Sequence, residues 1–471
     1  MNPITTLNRD NITLSSLLYE SLFILNEHLE AVPLLCASWY TEDNLTFTYQ
    51  LLPEIAMHDG TFMTSDDVAY SLRQSMQRGR YVNRFNSISS ISTDGELTVV
   101  ITLDTPNARF NRLLDIPVIK HGTIDSRLPP GTGPYIFPHS ESTRLLRFQQ
   151  YRYFEDLPLL IIYLRACNDG DLTTLFDGGG LSLLWDDPAG AFTIRLNRPR
   201  EPRDYSTTAL QFIGFNANSP ALRDADVRRA IGCSIERQFI VDNIMNVPVP
   251  NQTIPAPVAI SPVFDLYDPQ WAHRAYDPLV EMAALLERAG LKDYDDDSYL
   301  EMPDGFGGYQ KFTLDFIVNI ENAHKLAAAH RIAETLRYMG FDINVRELPW
   351  GNFMTALQEE KFDMYYGETL LGADFDLSPL LLPGNLNYGK TGNTFYKPLI
   401  LEFLAARSAE EVSYAGEKLL DMITQNAPFI PILYKRHAIY TPMGVIANAS
   451  PSQSGIFHNF HNWTIDTLMI N

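Results

Sequence analysis

A repeated order of helix, glycine and strand constrains the fold of this chain more than any other feature of its sequence. Helical spacing over 322–339 ends at Gly340, and a strand-like run over 341–345 follows directly. An earlier helical segment over 278–289 ends at Gly290 and is followed by a strand-like run over 312–316. Helices that alternate with strands are typical of βαβ units, so the sequence predicts an α/β protein with a mixed sheet.

Strand and helix signals also alternate in the first quarter of the chain. Runs over 45–51 and 97–103 alternate β-branched or aromatic residues with others, as half-buried strands do. Between them, Thr64 and Asp67 have the spacing of a capping box and predict the start of a helix. The 471 residues exceed the roughly 250–300 at which a single core stops growing, so several domains are expected.

Composition excludes some partners and classes of protein. The net charge is −21, because 57 Asp and Glu outnumber 36 Lys and Arg, and this argues against binding to nucleic acid. No run approaches the ~20 apolar residues that span a bilayer. The cysteines Cys36, Cys167 and Cys233 are far apart and lack the spacing of a zinc site, so at least one is unpaired.

No catalytic or metal-binding motif is complete. His58-Asp59 has no G-x-S-x-G elbow to supply a nucleophile, and His458 and His461 lack a third metal ligand nearby. The acidic run 293–297 resembles a calcium loop. An EF-hand counted from Asp293, however, requires Gly and Glu where Ser298 and Asp304 stand. The sequence therefore predicts no enzyme, no cofactor and no metal, and a solvated loop at 293–297.

Eight short segments spread along the chain fit one family pattern in one order. They are Leu18–Glu20; Pro33–Trp39; His58–Thr61 with Thr64, Asp67 and Val68; Gly131–Tyr135; Asp224 with Val227–Ala230 and Ile235–Arg237; Tyr276–Pro278 with Leu285, Leu286, Ala289 and Gly290; Gly372–Asp374; and Ala427–Pro431. This set resembles the family 5 extracellular solute-binding proteins of ABC importers, which include oligopeptide, dipeptide and nickel binders.

The resemblance implies an α/β fold of the type II periplasmic-binding-protein class (cluster C), with two lobes, a hinge and an extra α/β insertion domain. Lobe I would be discontinuous, comprising residues 1–42, 126–215 and 441–471. The insertion domain would cover residues 43–125, and lobe II would cover residues 216–440. A ligand between the lobes would contact both only in the closed state and would shift the population toward closure.

The resemblance also places the main ligand contact at Asp374. In peptide-binding members, an aspartate preceded by small residues pairs with the α-ammonium group of the ligand, and here Gly372 and Ala373 precede it. An ammonium group removed from water needs such a carboxylate. Leu371 stands where the family commonly has tryptophan, which leaves the ligand class open. The alternative role for Asp374 is that of a turn residue.

Five further residues are candidate ligand contacts because their segments approach the cleft in the family. They are Tyr19, Glu20, Trp350, Tyr366 and Glu368. For each of them, core packing or an inter-domain contact is an equally good interpretation. Asp376 and Asn393 are expected to be structural.

The function implied is that of the extracellular binding component of an ABC importer, which captures a short peptide or peptide-like solute and delivers it to a membrane permease. Two alternatives remain open: the sensing domain of a transcriptional regulator, and a binder of nickel or a metal chelate. In the family, an export signal and a first strand precede the segment that begins at Asn2. We therefore expect a longer precursor, lipid-anchored on the extracellular face or periplasmic, that touches the membrane only through its anchor and acts as a monomer.

Overall fold

The computed structural model describes residues 1–192, 194–245, 253–274, 280–384 and 386–466. It is a mixed α/β protein, as predicted. The helices are α1 (Arg9–Leu18), α2 (Ser65–Gln77), α3 (Leu172–Asp177), α4 (Ala225–Cys233), α5 (Arg237–Phe239), α6 (Val280–Arg288), α7 (Ala323–Tyr338), α8 (Trp350–Gln358), α9 (Ser378–Leu381), α10 (Tyr396–Ala405) and α11 (Ala409–Asn426).

The first nine strands belong to small sheets. They are β1 (Phe23–Leu25), β2 (Ala31–Pro33), β3 (Cys36–Tyr40), β4 (Thr46–Leu51), β5 (Ile88–Asp94), β6 (Thr98–Leu103), β7 (Tyr135–Ile136), β8 (Arg144–Arg147) and β9 (Ile161–Tyr163). β1 pairs with β2, and β7, β8 and β9 form a three-stranded sheet. The order β3-β4-β6-β5 forms a four-stranded antiparallel sheet, so the predicted strands at 45–51 and 97–103 are confirmed as β4 and β6.

Helix α2 begins where the sequence predicts and packs on this four-stranded sheet. Thr64 and Asp67 form the capping box, and the Thr64 amide donates to Asp67 Oδ2 at 2.8 Å. The other oxygen of Asp67 accepts the His121 amide at 2.8 Å, which connects the start of the helix to the segment after the sheet. The sheet includes β3, so it starts before residue 43.

The remaining strands build the large sheet and two hairpins. They are β10 (Leu184–Asp186), β11 (Arg200–Phe215), β12 (Thr253–Pro255), β13 (Glu301–Pro303), β14 (Tyr309–Lys311), β15 (Thr313–Asn319), β16 (Asp342–Leu348), β17 (Met364–Leu370), β18 (Phe429–Pro442), β19 (Ile446–Ala447) and β20 (Thr464–Ile465). The large sheet has the order β10-β18-β11-β17-β15-β16, with β12 beside β18. β15 lies parallel to β16 and β17, and the other pairs are antiparallel.

The β15-α7-β16 unit confirms the helix, glycine and strand prediction. Asn322 caps α7 by accepting the Lys325 amide, and Gly340 at φ +90 reverses the chain into β16. Two hydrophobic clusters cover the two faces of the large sheet. Adjacent residues of β11 point into different clusters, since Phe212 packs in one and Ile213 in the other.

One predicted helix is interrupted. The sequence predicts a helix over 222–245, and α4 does start after its N-cap Asp224, which accepts the Asp226 amide. The helix ends at Cys233, however, because Ser234–Glu236 leave the helical path before the short α5 and a π-helical turn over Ile240–Ile244. Arg228 of α4 is buried and donates to the carbonyls of Asn426 and Ala427 at the end of α11, so it makes an inter-helix contact.

Several predictions lie partly or wholly outside the described residues. These are the proline-rich connection at 247–252, the motif segment Tyr276–Pro278, the first residues of the 278–289 helix, and the last five residues assigned to lobe I. Within the described residues, no helix is both long and apolar enough to cross a membrane. Cys36 is a buried free thiol and Cys167 an exposed one.

Candidate functional site

The loop after β17 holds the predicted site residues Leu371–Asp374 against strand β11. The Leu371 amide donates to the Thr208 carbonyl at 3.1 Å, and the Thr208 hydroxyl donates to the Leu371 carbonyl at 2.6 Å. The Phe375 amide then closes a turn onto the Gly372 carbonyl, with Phe375 in the left-handed region at φ 56. Leu371 and Ala373 are buried in the hydrophobic cluster on this face of the sheet. The loop is therefore attached to β11 at its start and closed by an internal turn.

Asp374 is 2% exposed, and its carboxylate has only neutral donors. Oδ2 accepts from the Asn107 side-chain amide at 2.8 Å, and Oδ1 lies 3.4 Å from the Asp376 amide nitrogen. Among the described residues, no cationic side chain lies within 4.0 Å of this carboxylate. A buried carboxylate with no cation in direct contact favours the binding of an additional cation.

Gly372 is required by the conformation of Asp374. A Cβ at position 372 would lie 2.3 Å from Asp374 Oδ1 and 3.2 Å from Leu113. The small residue expected here for close approach of a ligand is thus already needed for the aspartate itself.

Two arginines lie farther from Asp374 and shape its surroundings. Arg109 donates through Nε to the Asp374 backbone carbonyl at 3.3 Å and through its other nitrogens to the carbonyls of Phe403 and Ala406. Burial lowers the pKa of Arg109 to about 10, although the nearby Asp374 opposes this change. Arg84 is paired with Asp115; burial acts to lower its pKa, but the charges of Asp115, Tyr81 and Asp374 outweigh that effect and raise it.

Asp376 has the structural role predicted for it. Its Oδ1 accepts the Ser378 amide at 2.8 Å and so closes the turn before α9. Burial, followed by the neighbouring charge of Asp374, raises the pKa of Asp376 to about 6. Two carboxylates two positions apart therefore make this loop a poor place for anions and a favourable one for an ammonium group.

Tyr19 and Glu20 line a cavity of about 120 Å³ that Asp115 also borders. Tyr19 is buried and donates to the Pro129 carbonyl at 2.9 Å. Glu20 accepts two hydrogen bonds from Arg152, at 2.6 and 2.8 Å, and one from the Tyr151 hydroxyl at 3.2 Å. The cavity is also lined by Tyr81, Asp115, Tyr153, Phe457, His458 and His461.

The C-terminal segment joins this cavity to the Asp374 loop. The Ser454 hydroxyl donates to Asp115 at 3.1 Å and accepts the Leu25 amide at 2.7 Å. The side-chain oxygen of Gln453 accepts the Thr208 amide at 2.6 Å, beside the attachment of Leu371. Arg84 also connects the two places electrostatically, because it is paired with Asp115 at the cavity and interacts with the charge of Asp374.

Tyr366 and Glu368 lie on the opposite face of β17 from this loop. The Tyr366 hydroxyl donates to Gln211 at 2.8 Å, and the Gln211 side-chain amide donates to Glu368 at 2.9 Å. Glu368 is also paired with Lys325 at 2.9 Å and Lys435 at 3.3 Å. Burial opposes ionisation, but the two lysines lower the pKa of Glu368 to about 2. These two residues belong to a partly buried polar cluster that is separate from the Asp374 loop.

Trp350 lies neither at the Asp374 loop nor at the cavity lined by Tyr19 and Glu20. It opens α8, is 58% exposed and stacks on Phe353 of its own helix, with ring centroids 5.9 Å apart. The structure therefore groups Leu371–Asp374 in one loop and Tyr19 and Glu20 at the cavity, while Tyr366, Glu368 and Trp350 lie elsewhere. The ligand-binding role of all nine residues stays a prediction.

The residues that sequence reasoning missed are Asn107, Arg84, Asp115 and Gln453. Asn107 is 267 positions from the aspartate that it contacts, and no motif surrounds it. The one available signal is the polar sequence Asn107-Ala108-Arg109 just before a buried 3₁₀ turn over Phe110–Leu113. A polar pair beside a buried turn predicts a contact but not its partner.

Comparison with known proteins gives a consistent result. Residues 30–388 match the family model described as bacterial extracellular solute-binding proteins, family 5. The oligopeptide-binding protein AppA of Bacillus subtilis is 20% identical over 431 residues, covering 85% of this chain and 77% of the relative. The glutathione-binding protein GsiB of Escherichia coli K12 is 22% identical over 453 residues, covering 89% of this chain and 83% of GsiB.

Solved structures share the fold over nearly the whole chain. The substrate-binding protein CtaP of Listeria monocytogenes superposes with a TM-score of 0.80 at 18% identity, covering 98% of this chain and 96% of that one. AppA of Bacillus subtilis in complex with a nonapeptide superposes with a TM-score of 0.72, also at 18% identity, covering 99% of this chain and 96% of AppA. NikZ of Campylobacter jejuni in complex with Ni(L-His) superposes with a TM-score of 0.74 at 18% identity, covering 98% of this chain and 96% of NikZ. The type II periplasmic-binding-protein fold predicted from the sequence is confirmed.

Proposed function

The chain belongs to the bacterial extracellular solute-binding proteins of family 5, and we propose that it captures a short peptide or peptide-like solute and delivers it to the permease of an ABC importer. Members of this family are substrate-binding transport proteins, not enzymes. AppA and GsiB, which are named for binding an oligopeptide and glutathione, favour this interpretation over a regulator's sensing domain.

The observation that supports a ligand with a free amino terminus is the state of Asp374. Its carboxylate is buried, accepts only from neutral amides, and lies in a loop with a second acidic side chain, Asp376. An α-ammonium group beside Oδ1 would supply the missing counter-ion and three hydrogen-bond donors. The two arginines offset part of the negative charge around the loop, since Arg84 interacts with Asp115 and Asp374, and Arg109 interacts with Asp374 and Asp265.

The division into lobes is part of the proposal. Residues 1–42, 126–215 and 441–471 would form lobe I, residues 43–125 the insertion domain and residues 216–440 lobe II. The long strands β11 and β18 support a hinge between the lobes, because they pair along their length and change register between Ser206 and Leu210 and between Gln211 and Phe212. We place the protein outside the cytoplasmic membrane as a monomer, lipid-anchored or periplasmic.

The first test identifies the ligand and its effect on shape. Native mass spectrometry of freshly purified protein, before and after denaturing release, should give the mass of a peptide or peptide-like molecule. A nickel complex or a sugar would contradict the proposed ligand class. Small-angle scattering should show a smaller radius of gyration at saturating ligand, and an unchanged radius would contradict hinge closure.

The second test is Asp374→Asn. It keeps the size of the side chain but leaves a bound ammonium group without its counter-ion, which should weaken binding by about 2–5 kcal/mol. N-acetylation of the peptide should cost the parent protein a similar amount and the variant little more, because both changes remove one interaction. Isothermal titration calorimetry measures both effects.

Asp376→Asn is the matched control at pH 5. Since the pKa of Asp376 is raised to about 6, that side chain is mostly neutral at pH 5, and the substitution removes little charge. The control should bind within about twofold of the parent, a difference below 0.5 kcal/mol. Equal affinity of Asp374→Asn and the parent would show that Asp374 is only a turn residue.

A further inference from the structure

Four carboxylates converge in the loop between α6 and the β13–β14 hairpin. They are those of Asp293, Asp295, Asp297 and Glu301, and one oxygen of each lies within 4.8 Å of the others. The loop lies in lobe II as proposed above and takes no part in the Asp374 site. The sequence favoured a solvated loop here because the EF-hand positions are wrong. In the structure, Glu301, eight residues after Asp293, supplies a fourth carboxylate to the cluster.

Glu301 gives an independent indication of a ligand. The residue is only 3% exposed, and its Oε2 accepts the Tyr294 amide at 2.7 Å. Its Oε1 is buried and has no hydrogen-bond donor among the described residues. An ionised carboxylate oxygen buried without a partner is strongly disfavoured, so such an oxygen points to a cation or donor supplied from outside the chain.

The neighbouring Lys311 cannot neutralise the charge of the whole cluster. Lys311 of β14 contacts Asp297, but its side chain is 48% exposed and it brings one positive charge to four carboxylates. It also lies over the ring of Tyr299, 4.9 Å from the centroid. A partly exposed lysine at the edge of an acidic cluster is easily displaced into water, where its ammonium group is well solvated.

We propose that these four carboxylates bind a calcium ion. Calcium takes six to eight oxygen ligands in irregular geometry, including carboxylates, whereas magnesium demands a near-ideal octahedron and retains water. Asp293, Asp295 and Asp297 alternate along the chain, and Glu301 closes the cluster from the start of β13. The ion would fix the loop after α6 to the β13–β14 hairpin, and it would be structural and not part of the solute site.

The test uses the full chain, stripped with chelator, and terbium and calcium ions as probes. Terbium bound here would be sensitised by the tyrosines of the loop, since Tyr294 stacks on Tyr309 with centroids 3.5 Å apart and Tyr299 lies beside Lys311. We expect tyrosine-sensitised terbium emission that calcium displaces. We also expect calcium to raise the melting temperature, because a ligand that binds only the folded state stabilises it.

Three variants make the assignment specific. Glu301→Gln removes a charged ligand at constant size and should weaken calcium binding by about tenfold or more. Asp295→Asn, an exposed position that can hardly affect folding, should do the same. The matched control is Asp296→Asn, since Asp296 is in the same loop but outside the cluster, and asparagine tolerates its φ of 60. Its affinity should equal that of the parent.

The outcomes decide the proposal directly. Loss of calcium binding in Glu301→Gln or Asp295→Asn, with Asp296→Asn unchanged, supports it. Lys311→Met should bind calcium more tightly than the parent, because a competing ammonium group is gone. Absence of a calcium-dependent melting shift and of displaceable terbium emission, or equal affinity in all of the loop variants, would overturn it.

Discussion

Two neighbouring titratable groups in the large sheet should affect stability with opposite pH dependence. Asp186 ends β10 and is 3% exposed; burial, followed by the charge of Asp187, raises its pKa to about 7. His437 lies on the paired strand β18, 3.8 Å from Asp187. Burial, opposed by Asp187 and assisted by Lys435, lowers the pKa of His437 to about 4. Between pH 4.5 and 6, both groups are therefore mostly neutral in the folded protein.

The signs follow from proton uptake on unfolding. When the protein unfolds between pH 4 and 6.5, Asp186 releases a proton, so the contribution of Asp186 to stability falls as pH rises. In the same interval His437 takes up a proton on unfolding. The contribution of His437 to stability therefore rises with pH and is lost as pH falls through 4. Each amounts to about 1.4 kcal/mol per pH unit. The two contributions cancel in the parent protein, and the 21% exposure of His437 makes its share an upper bound.

Single substitutions should uncover each contribution. Asp186→Asn replaces a group that is already neutral in this range, so the His437 contribution remains alone. Relative to the parent, its free energy of unfolding should rise by about 2 kcal/mol between pH 4.5 and 6.0. The free energy of unfolding of His437→Gln should fall over the same pH interval, by up to the same amount relative to the parent. Differences from the parent remove the contributions of the other carboxylates, which all three proteins share.

Urea unfolding followed by circular dichroism at pH 4.5, 5.25 and 6.0 measures these slopes. A proton NMR titration is the direct control, because the histidine resonance missing from His437→Gln should be one that does not titrate above pH 5. If both variants follow the parent in parallel across this range, the burial of Asp186 and His437 does not perturb their pKa values, and the reasoning fails.

Two further predictions concern the site. Gly372→Ala should weaken ligand binding by about tenfold or more, about 1.4 kcal/mol, because the new methyl group would lie 2.3 Å from Asp374 Oδ1; Gly351→Ala, with nothing within 4 Å, should bind normally, and calorimetry compares them. Arg152→Met should destabilise the protein by about 3–5 kcal/mol in urea unfolding, because Glu20 would stay buried without its partner. Adding Glu20→Gln should recover most of that loss, and a double variant no more stable than Arg152→Met would contradict this explanation.

The parts of the fold that could be predicted are those determined by neighbouring residues. Asn322, Gly340 and the helical spacing between them specify α7 within one stretch of chain, and Thr64 with Asp67 does the same for the start of α2. The helix over 222–245 was predicted too long because apolar spacing continues through Ser234–Glu236, where the backbone leaves the helix. The spacing of apolar residues alone does not predict such a break in a helix.

The candidate site was predictable only in part. Gly372–Asp374 could be found from a family motif, because the loop needs a small residue next to its aspartate. Their partners could not be found, since Asn107 and Arg109 reach the loop through contacts that span 267 and 265 positions. Glu20 shows the same difficulty in reverse: its motif suggested the cleft, but Arg152, 132 positions away, already neutralises it.

The position of Thr208 would couple the proposed binding at Asp374 to a movement of the proposed lobes. Thr208 lies in the interval between Ser206 and Leu210 where the β11–β18 pairing changes register, so the ladder there is locally interrupted. Its amide and hydroxyl hold Gln453 of the C-terminal segment, and its carbonyl and hydroxyl hold Leu371 of the Asp374 loop. Thr208 therefore connects the Asp374 loop to the segment that borders the Glu20 cavity, and we predict that a change of the backbone at this irregular point would move the two together. A ligand that contacts Asp374 and the cavity together would favour one setting of the hinge, because only that setting brings both within its reach.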